Sequence, residues 1–443
     1  RHSLVGRRFV LFTVLFSSVI TLLFTVVQLS AEYNKQLDQR VLFNQIIEES
    51  LLDSLSKSIW TYDDAQIYLQ LQGIVNIPSI ERAVLNLPEN VEFNIGEITA
   101  SNISNTELSF KANKMRASIW LLSPLLAREG KVKLPYPGGC SIGGRPIDIT
   151  LDGLRALGVT FEDSDEFLIA STDGMVGTEF RLHFPSVGAT EGLIMAAATA
   201  KGQTVLHNVA KEPEVIDTME FLNGMGADIF FSDETSITIN GVEKLTKTSH
   251  NVIADRIITG TYAVMAALCT GEKGILIENC NPEHLATELN VLKDAGVKMD
   301  IKENSIFVPK QDKNFKSVDF ETAVYPGFAT DLQSPVMVFL TQCDGESHVT
   351  ENIYENRFMH IPELNKMSSK ITAVSNHIAA VLGKTDLTGD CVQSTDLRAS
   401  AALVAAGLIA KGETVVANVE HLDRGYETLD KFLSAVGADI KRV

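Results

Sequence analysis

The sequence repeats itself, and this repetition constrains the fold more than any other feature of the chain. Each copy has an apolar helix, a glycine followed by a strand, and a second helix that ends near a Gly-Ala-Asp-Ile sequence. Five copies can be recognised, at residues 114–158, 188–229, 260–301, 330–371 and 395–440. Such repetition predicts an α/β fold in which one helix-and-strand unit recurs.

The first copy is longer than the others. The glycine before the strand and the residue ending the second helix are 24, 22, 23 and 25 positions apart in the later copies, but 28 apart in the first. The additional residues fall in PYPGGCSIGGRPID, at 135–148, which contains Cys140 and Arg145. A lengthened, glycine-rich copy predicts a mobile lid that carries chemistry. The alternative is an ordinary solvent loop in which Cys140 has no function.

Charged side chains recur at equivalent points of the copies: Arg116, Asp331, Arg357, Asp396, Arg398 and Arg424. Helix N-termini attract anions, and arginine offers a planar fork to phosphate or carboxylate. The pattern therefore predicts an anion-binding cleft between sets of repeats. The alternative is that Asp396–Arg398 and Asp423–Arg424, as well as Asp255, only cap helices or form salt bridges between repeats.

Composition excludes several other classes of protein. The chain has 38 basic and 56 acidic residues, a formal net charge of −18, which argues against a general nucleic-acid binder. Its five cysteines form no CxxC pair, so no zinc site is predicted. Apart from Cys140, the cysteines are interpreted as small packing residues, namely Cys269, Cys280, Cys343 and Cys391.

The N-terminal segment differs from the rest. Residues 9–31 contain no charged side chain and follow Arg7 and Arg8, which predicts a transmembrane helix with its N-terminus in the cytoplasm. A buried core helix is the alternative. Residues 32–86 carry apolar residues at helical spacing and faintly resemble the extracytoplasmic segment of bacterial membrane sensors.

From about residue 90 to the end, the chain resembles the enolpyruvyl transferases. The resemblance rests on KMRAS, PGGCSIGGRPID, PGFATDLQ, IYENRFMHIPEL, TDLRASAALVAAGLIAKGET and HLDRGYE, in that order. The cysteine-bearing loop favours the UDP-N-acetylglucosamine branch over the shikimate branch. The resemblance implies an inside-out α/β barrel with two lobes of three βαβαββ units, of which one unit is missing here. The expected domains are residues 1–31, 32–86, 87–252 and 253–443.

The resemblance also implies an activity. Enolpyruvyl would pass from phosphoenolpyruvate to the 3′-hydroxyl of UDP-N-acetylglucosamine, releasing phosphate, in the first committed step of peptidoglycan precursor synthesis. Cys140 would be the proton donor and Asp331 the base, and no metal or organic cofactor is implied. The phosphate and carboxylate clamp would comprise Arg145, Arg357 and Arg424. The sugar-nucleotide contacts would be Arg116, Asp148, Ser186, Val187, Gly188 and Ile353. Asp396 and Arg398 would have a structural role around the same cleft.

Two features of the sequence conflict with the activity that the resemblance implies. The substrates are cytoplasmic metabolites, whereas residues 9–31 predict an inner-membrane anchor that sends the following residues outside. The family's early Lys-Asn pair also has no counterpart in this sequence. Three hypotheses follow: a transferase whose N-terminus was replaced by gene fusion or faulty sequence assembly, a membrane sensor that only binds an anionic ligand, or an inactive remnant.

Overall fold

The computed structural model describes residues 83–86, 92–95, 106–107, 116–138, 146–162, 164–426 and 428–442. Residues 9–31, most of the segment 32–86, and the lid residues 139–145 with Cys140 and Arg145 lie outside this part. The chain divides into two compact units, residues 1–103 and 104–443. In the first unit, strands β1 (Ala83–Asn86) and β2 (Glu92–Ile95) form an antiparallel pair.

The first half of the second unit alternates helices with strands. Its helices are α1 (Leu122–Glu129), α2 (Asp148–Ala156), α3 (Val187–Ala197) and α4 (Pro213–Gly224). Its strands are β3 (Lys131–Pro135), β4 (Thr160–Glu162), β5 (Phe167–Ser171), β6 (Glu179–Arg181), β7 (Gln203–His207), β8 (Asp228–Asp233) and β9 (Ser236–Asn240). They form two sheets, of order β3-β5-β4 and β6-β7-β9-β8. One apolar core, between Ile119 and Ile239, fills this half.

The second half repeats the arrangement around its own core, which extends from Ile257 to Leu433. Its helices are α5 (Arg256–Cys269), α6 (Ala286–Asp294), α7 (Gln333–Leu340), α8 (Ile361–Lys366), α9 (Leu397–Ile409) and α10 (Leu429–Ala435). Its strands are β10 (Ile275–Glu278), β11 (Asp300–Lys302), β12 (Ser305–Val308), β13 (Phe315–Lys316), β14 (Phe320–Glu321), β15 (Cys343–Thr350), β16 (Ile371–Ala373), β17 (Ile378–Gly383), β18 (Cys391–Gln393) and β19 (Val415–Ala417).

Sheet topology follows the repeats. A short strand before the first helix pairs in parallel with the strand after it: β6 with β7, β14 with β15, and β18 with β19. The last two strands of a complete copy pair antiparallel, as β8 does with β9 and β16 with β17. Among the described residues, the sheet of order β10-β12-β11 has no such parallel first strand.

The markers that define the repeats share one backbone conformation. They adopt φ between +67° and +109°: Gly130, Gly202, Gly274, Gly345 and Gly412 before the strands, and Gly158, Gly226, Gly296, Ser368 and Gly437 after the second helices. Glycine enters this left-handed region without a Cβ clash, which explains its recurrence where helices end. Ser368 holds the same conformation with a side chain.

The first helices of the last two copies, α7 and α9, are buried on nearly every face. In α7 all residues from Gln333 to Leu340 are buried, and in α9 the run from Ala399 to Ala406 is buried. A helix that is apolar all round belongs inside a core. Helices α5, α7 and α9 pack against one another at the centre of the second core. Their N-terminal ends lie close together, since Arg398 in the first turn of α9 contacts Asp331 just before α7, and these ends carry the candidate site.

An ion pair joins the two cores. Arg256, the first residue of α5, donates from Nε and Nη2 to the two carboxylate oxygens of Glu214 in α4, at 3.2 and 3.1 Å. Bidentate arginine–carboxylate pairs fix geometry as well as charge. The two halves of this unit are thus tied together at the start of α5.

The structure also bears on the predicted burial of the cysteines and on membrane-spanning helices. Cys280 and Cys343 are buried, as packing residues should be, but Cys269 and Cys391 are exposed, so the packing interpretation is wrong for these two. No helix among the described residues has the length and apolarity needed to span a bilayer.

Candidate active site

Asp331 lies between two arginines. Its 3-10 turn, Thr330–Leu332, precedes α7. Oδ1 accepts a hydrogen bond from Arg357 Nη2 at 2.6 Å, and Oδ2 accepts one from Arg398 Nε at 3.0 Å. Arg357 is almost fully buried, whereas 36% of the Asp331 side chain remains exposed. The structure thus brings three predicted residues together and leaves their carboxylate accessible.

The arginines determine the charge of Asp331. Burial alone would raise the pKa of its carboxyl, but the Arg398 and Arg357 guanidiniums outweigh this effect and hold the pKa well below its usual range. The carboxylate is therefore ionised at neutral pH. It can accept a hydrogen bond from a hydroxyl, but its two partners make it a weak base.

A buried glutamate shapes the neighbouring loop. Glu351 is fully buried, and its Oε1 accepts hydrogen bonds from the Thr322 and Thr330 hydroxyls at 3.0 and 3.1 Å. The same oxygen accepts from the backbone N–H groups of Ile353 and Tyr354 at 2.9 and 3.1 Å. Glu351 thereby fixes Ile353, a predicted sugar-nucleotide contact, beside the turn that carries Asp331. Sequence reasoning missed this residue, although a glutamate directly after a strand was a usable signal.

Two acidic residues of the predicted cleft cap helices. Asp396 Oδ1 accepts from the backbone N–H groups of Arg398 and Ala399, at 2.9 and 3.1 Å. Asp255 Oδ1 accepts from Ile257 and Ile258, at 2.8 and 3.0 Å. Carboxylate caps of this kind stabilise helix N-termini. For both residues the geometry supports the capping alternative.

The remaining acidic candidate of this kind, Asp423, forms a salt bridge with Arg442. Nη1 of the arginine lies 3.0 Å from Oδ2 of the aspartate, and both side chains are about half exposed. The pair is therefore a surface contact, which supports the salt-bridge alternative for Asp423.

The next residue, Arg424, is different. It ends the 3-10 turn Val419–Arg424 and is exposed. It forms no hydrogen bond or ion pair with any residue in the described part of the chain. Its guanidinium is therefore available to an anionic ligand.

The predicted contacts of the first half lie at helix N-termini. Arg116 Nη2 approaches the Pro146 carbonyl at 3.4 Å, two residues before Asp148, the first residue of α2. Ser186 caps α3 by accepting from the Ala189 N–H at 3.4 Å, and Val187 and Gly188 are the first residues of that helix. Free N–H groups and the helix dipole favour anions at such ends.

A buried histidine lies behind the second-half site. His360 is fully buried, with Nε2 3.2 Å from Met337 Sδ. Burial, opposed by the charge of Asp396, lowers the pKa of His360 to about 4, so the imidazole is neutral at physiological pH. In the part of the chain that the structure describes, no three His, Cys, Asp or Glu side chains are grouped so that they could hold a metal ion.

Two family models match the chain. The family model of EPSP synthase (3-phosphoshikimate 1-carboxyvinyltransferase) matches residues 84–433. A second model, a periplasmic sensor domain found in signal transduction proteins, matches residues 32–120. The faint sensor resemblance of the N-terminal segment is thus confirmed, although the two matches overlap from residue 84 to residue 120.

Curated relatives cover most of the chain. A UDP-N-acetylglucosamine 1-carboxyvinyltransferase from Chelativorans sp. is 44% identical over 347 residues, which are 78% of this chain and 80% of that protein. UDP-N-acetylglucosamine 1-carboxyvinyltransferase 2 from Staphylococcus saprophyticus is 39% identical over 401 residues, 89% of this chain and 94% of that protein.

Solved structures share the fold. The enolpyruvyl transferase NikO from Streptomyces tendae superposes with a TM-score of 0.71 at 25% identity, covering 81% of this chain and 84% of NikO. EPSP synthase from Acinetobacter baumannii superposes with a TM-score of 0.59 at 18% identity, covering 85% and 88%. The mixed α/β transferase fold expected from the motifs is confirmed. The chain belongs to the EPSP synthase family of carboxyvinyltransferases.

Proposed function

We propose that this chain transfers the enolpyruvyl group of phosphoenolpyruvate to the 3′-hydroxyl of UDP-N-acetylglucosamine and releases phosphate. The observation that carries the proposal is the identity, over most of the chain, with proteins named for this reaction. The cysteine-bearing loop at 135–148 and the arginine-bound Asp331 support the same assignment. The product would enter peptidoglycan precursor synthesis.

The reaction needs a proton donor, a base and an anion clamp. A proton must reach C3 of phosphoenolpyruvate, which makes C2 electrophilic; the sugar oxygen then bonds to C2 as its own proton leaves. Loss of the C3 proton and cleavage of the C2–O bond to phosphate complete the transfer. We assign the donor role to Cys140, because a thiol can act as a general acid and Arg145, five positions later in the same loop, can supply a positive charge. Asp331 takes the hydroxyl proton and, after passing it to solvent, takes the C3 proton as phosphate leaves.

Arg357 links substrate binding to the base. Its guanidinium contacts Asp331 and is assigned, with Arg145 and Arg424, to the phosphate and carboxylate of the substrate. A substrate anion shares the charge of Arg357, which weakens the pairing with Asp331 and raises the basicity of that carboxylate. Charge that develops on the departing phosphate is stabilised by the same arginines.

The nucleotide sugar is assigned to the helix N-termini described above. The proposed contacts are Arg116, Asp148, Ser186, Val187, Gly188 and Ile353. The anion-favouring ends of α2 and α3 suit a diphosphate, and the loop fixed by Glu351 presents Ile353 to the sugar. Asp396 and Arg398 act from behind, as a helix cap and as a partner of Asp331.

The N-terminal segment is proposed to be a fused module. Residues 32–86 form a sensor-like segment, residues 87–252 and 253–443 form the two lobes, and one repeat of the family's six is missing. Residues 9–31 anchor the chain in the inner membrane, because 23 positions without a charge suffice for a bilayer span. Membrane fractionation tests the anchor: the Leu15→Arg, Leu22→Arg variant should become extractable by salt, and equal membrane retention of both chains would contradict it.

The activity is tested by phosphate release. The full chain should release phosphate from phosphoenolpyruvate only when UDP-N-acetylglucosamine is present. Cys140→Ser should lower this rate at least about 100-fold, because general acid catalysis contributes about that much. The exposed Cys391 provides the control, and Cys391→Ser should leave the rate unchanged. A folded chain that releases no phosphate would refute the proposed reaction.

A further inference from the structure

A directional chain of hydrogen bonds runs from Arg398 through Tyr426 and Thr261 to the Ile257 carbonyl. The Thr261 hydroxyl donates to the Ile257 carbonyl at 2.8 Å, so its oxygen accepts from the Tyr426 hydroxyl at 2.9 Å. The Tyr426 oxygen in turn accepts from Arg398 Nη1 at 3.3 Å. The tyrosine hydroxyl therefore donates one hydrogen bond, to Thr261, and accepts one, from Arg398.

The tyrosine lies where three elements meet. Tyr426 is 1% exposed and follows the turn that ends in Arg424, and its backbone N–H donates to the Leu422 carbonyl at 3.0 Å. Thr261 belongs to α5 and Arg398 to the first turn of α9. The hydroxyl thus ties the 419–426 segment to the N-terminal ends of two central helices.

Arg398 is held at both ends. Its Nε and Nη2 face Asp331 Oδ2 at 3.0 Å, and its Nη1 reaches Tyr426. The guanidinium carbon also lies 5.7 Å from the centre of the Tyr426 ring, within the range of a cation–π contact. Asp255 is the other carboxylate whose charge acts on Arg398. Without the phenol, nothing described on that side would orient Nη1.

We propose that Tyr426 is a positioning residue for enolpyruvyl transfer: its hydroxyl holds the Arg398 guanidinium against Asp331 and anchors the turn that carries Arg424. The proposal rests on the proposed function, since it assigns Tyr426 to the same site. It adds a residue that contacts no substrate and acts through two charged groups.

The variant Tyr426→Phe isolates the hydroxyl. It keeps the ring under Arg398, and Thr261 still donates to the Ile257 carbonyl, so its hydroxyl retains a partner. The one group left without its acceptor is Arg398 Nη1. Tyr262→Phe is the matched control, because Tyr262 is half-buried on α5 next to Thr261 and its hydroxyl forms no hydrogen bond with the described residues.

Kinetics of the full chain are the first measurement. Tyr426→Phe should lower kcat about tenfold, the effect of a buried hydrogen bond of about 1.4 kcal/mol. The acid limb of the plot of kcat against pH should move to higher pH. An Arg398 guanidinium that is held less firmly against Asp331 depresses the pKa of that carboxyl less. A structural hydroxyl would not shift that limb. Wild-type behaviour of Tyr426→Phe, or an equal loss in Tyr262→Phe, would overturn the proposal.

A second measurement does not depend on activity. The loss in Tm caused by Tyr426→Phe should fall to less than half when Asp331 is already replaced by Asn, because no ion pair is left for the hydroxyl to hold. An inactive wild-type chain would refute the proposed reaction, and the comparison of Tm losses with and without Asp331→Asn would then be the test of the role of Tyr426. Equal losses in both backgrounds would show that Tyr426 and Asp331 are independent, which would overturn the proposal.

Discussion

Glu191 shows how strongly its surroundings control a single carboxylate in this protein. The residue lies in α3 and is 9% exposed. Burial raises its pKa to about 7, with repulsion from Glu214 and Glu212 adding to this effect and a hydrogen bond from Trp120 opposing it. The folded chain therefore holds a proton that the unfolded chain, with a pKa near 4.5, releases earlier as pH rises.

This difference predicts a pH-dependent stability. Between pH 4.5 and 7 the unfolded state loses the proton first, so the free energy of unfolding should fall as pH rises, and the loss is complete above about pH 8. Glu191→Gln stays neutral and should be more stable than the wild type by about 2–3 kcal/mol at pH 8, but equal to it at pH 4.5. Urea unfolding at the two pH values measures this.

The exposed Glu234 supplies the control for this prediction. Its carboxylate forms no hydrogen bond or ion pair with the described residues. Glu234→Gln should change the free energy of unfolding by less than about 0.5 kcal/mol at either pH. A stabilisation of Glu191→Gln that is the same at pH 4.5 and pH 8 would contradict the raised pKa.

Single residues also mark the limit of what the sequence could predict. Asp331, Arg357 and Arg398 were predicted from their equivalent places in the repeats, and they do meet. Glu351 and Tyr426 were not predicted, because each also depends on a distant hydrogen-bond partner: Thr330 lies 21 positions from Glu351, and Thr261 lies 165 positions from Tyr426. The position of Glu351 directly after a strand was a weak signal, whereas a buried phenol such as Tyr426 has no periodic signature and is identified only in the folded chain.

At the scale of elements, the close packing of α5 positions the turn that carries Asp331. A Cβ built on Gly260 would lie 2.4 Å from Leu332 Cδ1, and Leu332 is 1% exposed, next to Asp331. Helix α5 can approach the turn this closely because position 260 has no side chain. Sequence reasoning placed Gly260 at the start of a repeat but could not predict this contact, because it joins two different copies.

Gly260→Ala should therefore disturb both stability and catalysis. The added methyl group must displace Leu332 in a filled core, which costs about 1–3 kcal/mol of unfolding free energy. The displacement reaches Asp331 and should lower kcat about tenfold, since small misplacements at a reacting group are costly. Urea unfolding and phosphate release measure the two effects.

Gly271→Ala is the control, because a Cβ at that position meets nothing within 4 Å. Its stability and rate should match those of the wild type. If Gly260→Ala were as stable and as active as Gly271→Ala, the close approach of α5 to the Asp331 turn would not matter to the site.

Element boundaries were the most predictable level of the structure. The ten marker positions read from the repeats all have positive φ, so the sequence pattern and the backbone conformation have the same physical cause. The short parallel strands such as β14, Phe320–Glu321, have no pattern of their own, because two residues cannot show a period. Their position is set by pairing with β15.

At the scale of the whole molecule, the two cores meet at a cluster of charges. Arg256 faces Glu214 directly, and the charges of Glu212 and Glu288 also act on it. Burial raises the pKa values of Glu212 and Glu288, and the charge of Arg256 opposes this rise. One guanidinium thus compensates several carboxylates where the halves join.

Removing that guanidinium should weaken the junction. In Arg256→Gln, Glu212 and Glu214 repel each other without compensation, and Glu288 loses the positive charge that favours its ionised form. The Arg256 side chain is 11% exposed and that of Glu214 43%, so the loss should lie between those of exposed and buried pairs, at about 2–3 kcal/mol of unfolding free energy at pH 8. This loss should shrink as pH falls, because protonation of the carboxylates relieves the repulsion.

Arg155→Gln is the matched control: Arg155 pairs with Asp152 at 2.7 Å on the surface, where such pairs contribute about 0.5 kcal/mol or less. Equal losses of unfolding free energy in the two variants would show that the charges between the cores do not stabilise the packing of one core against the other.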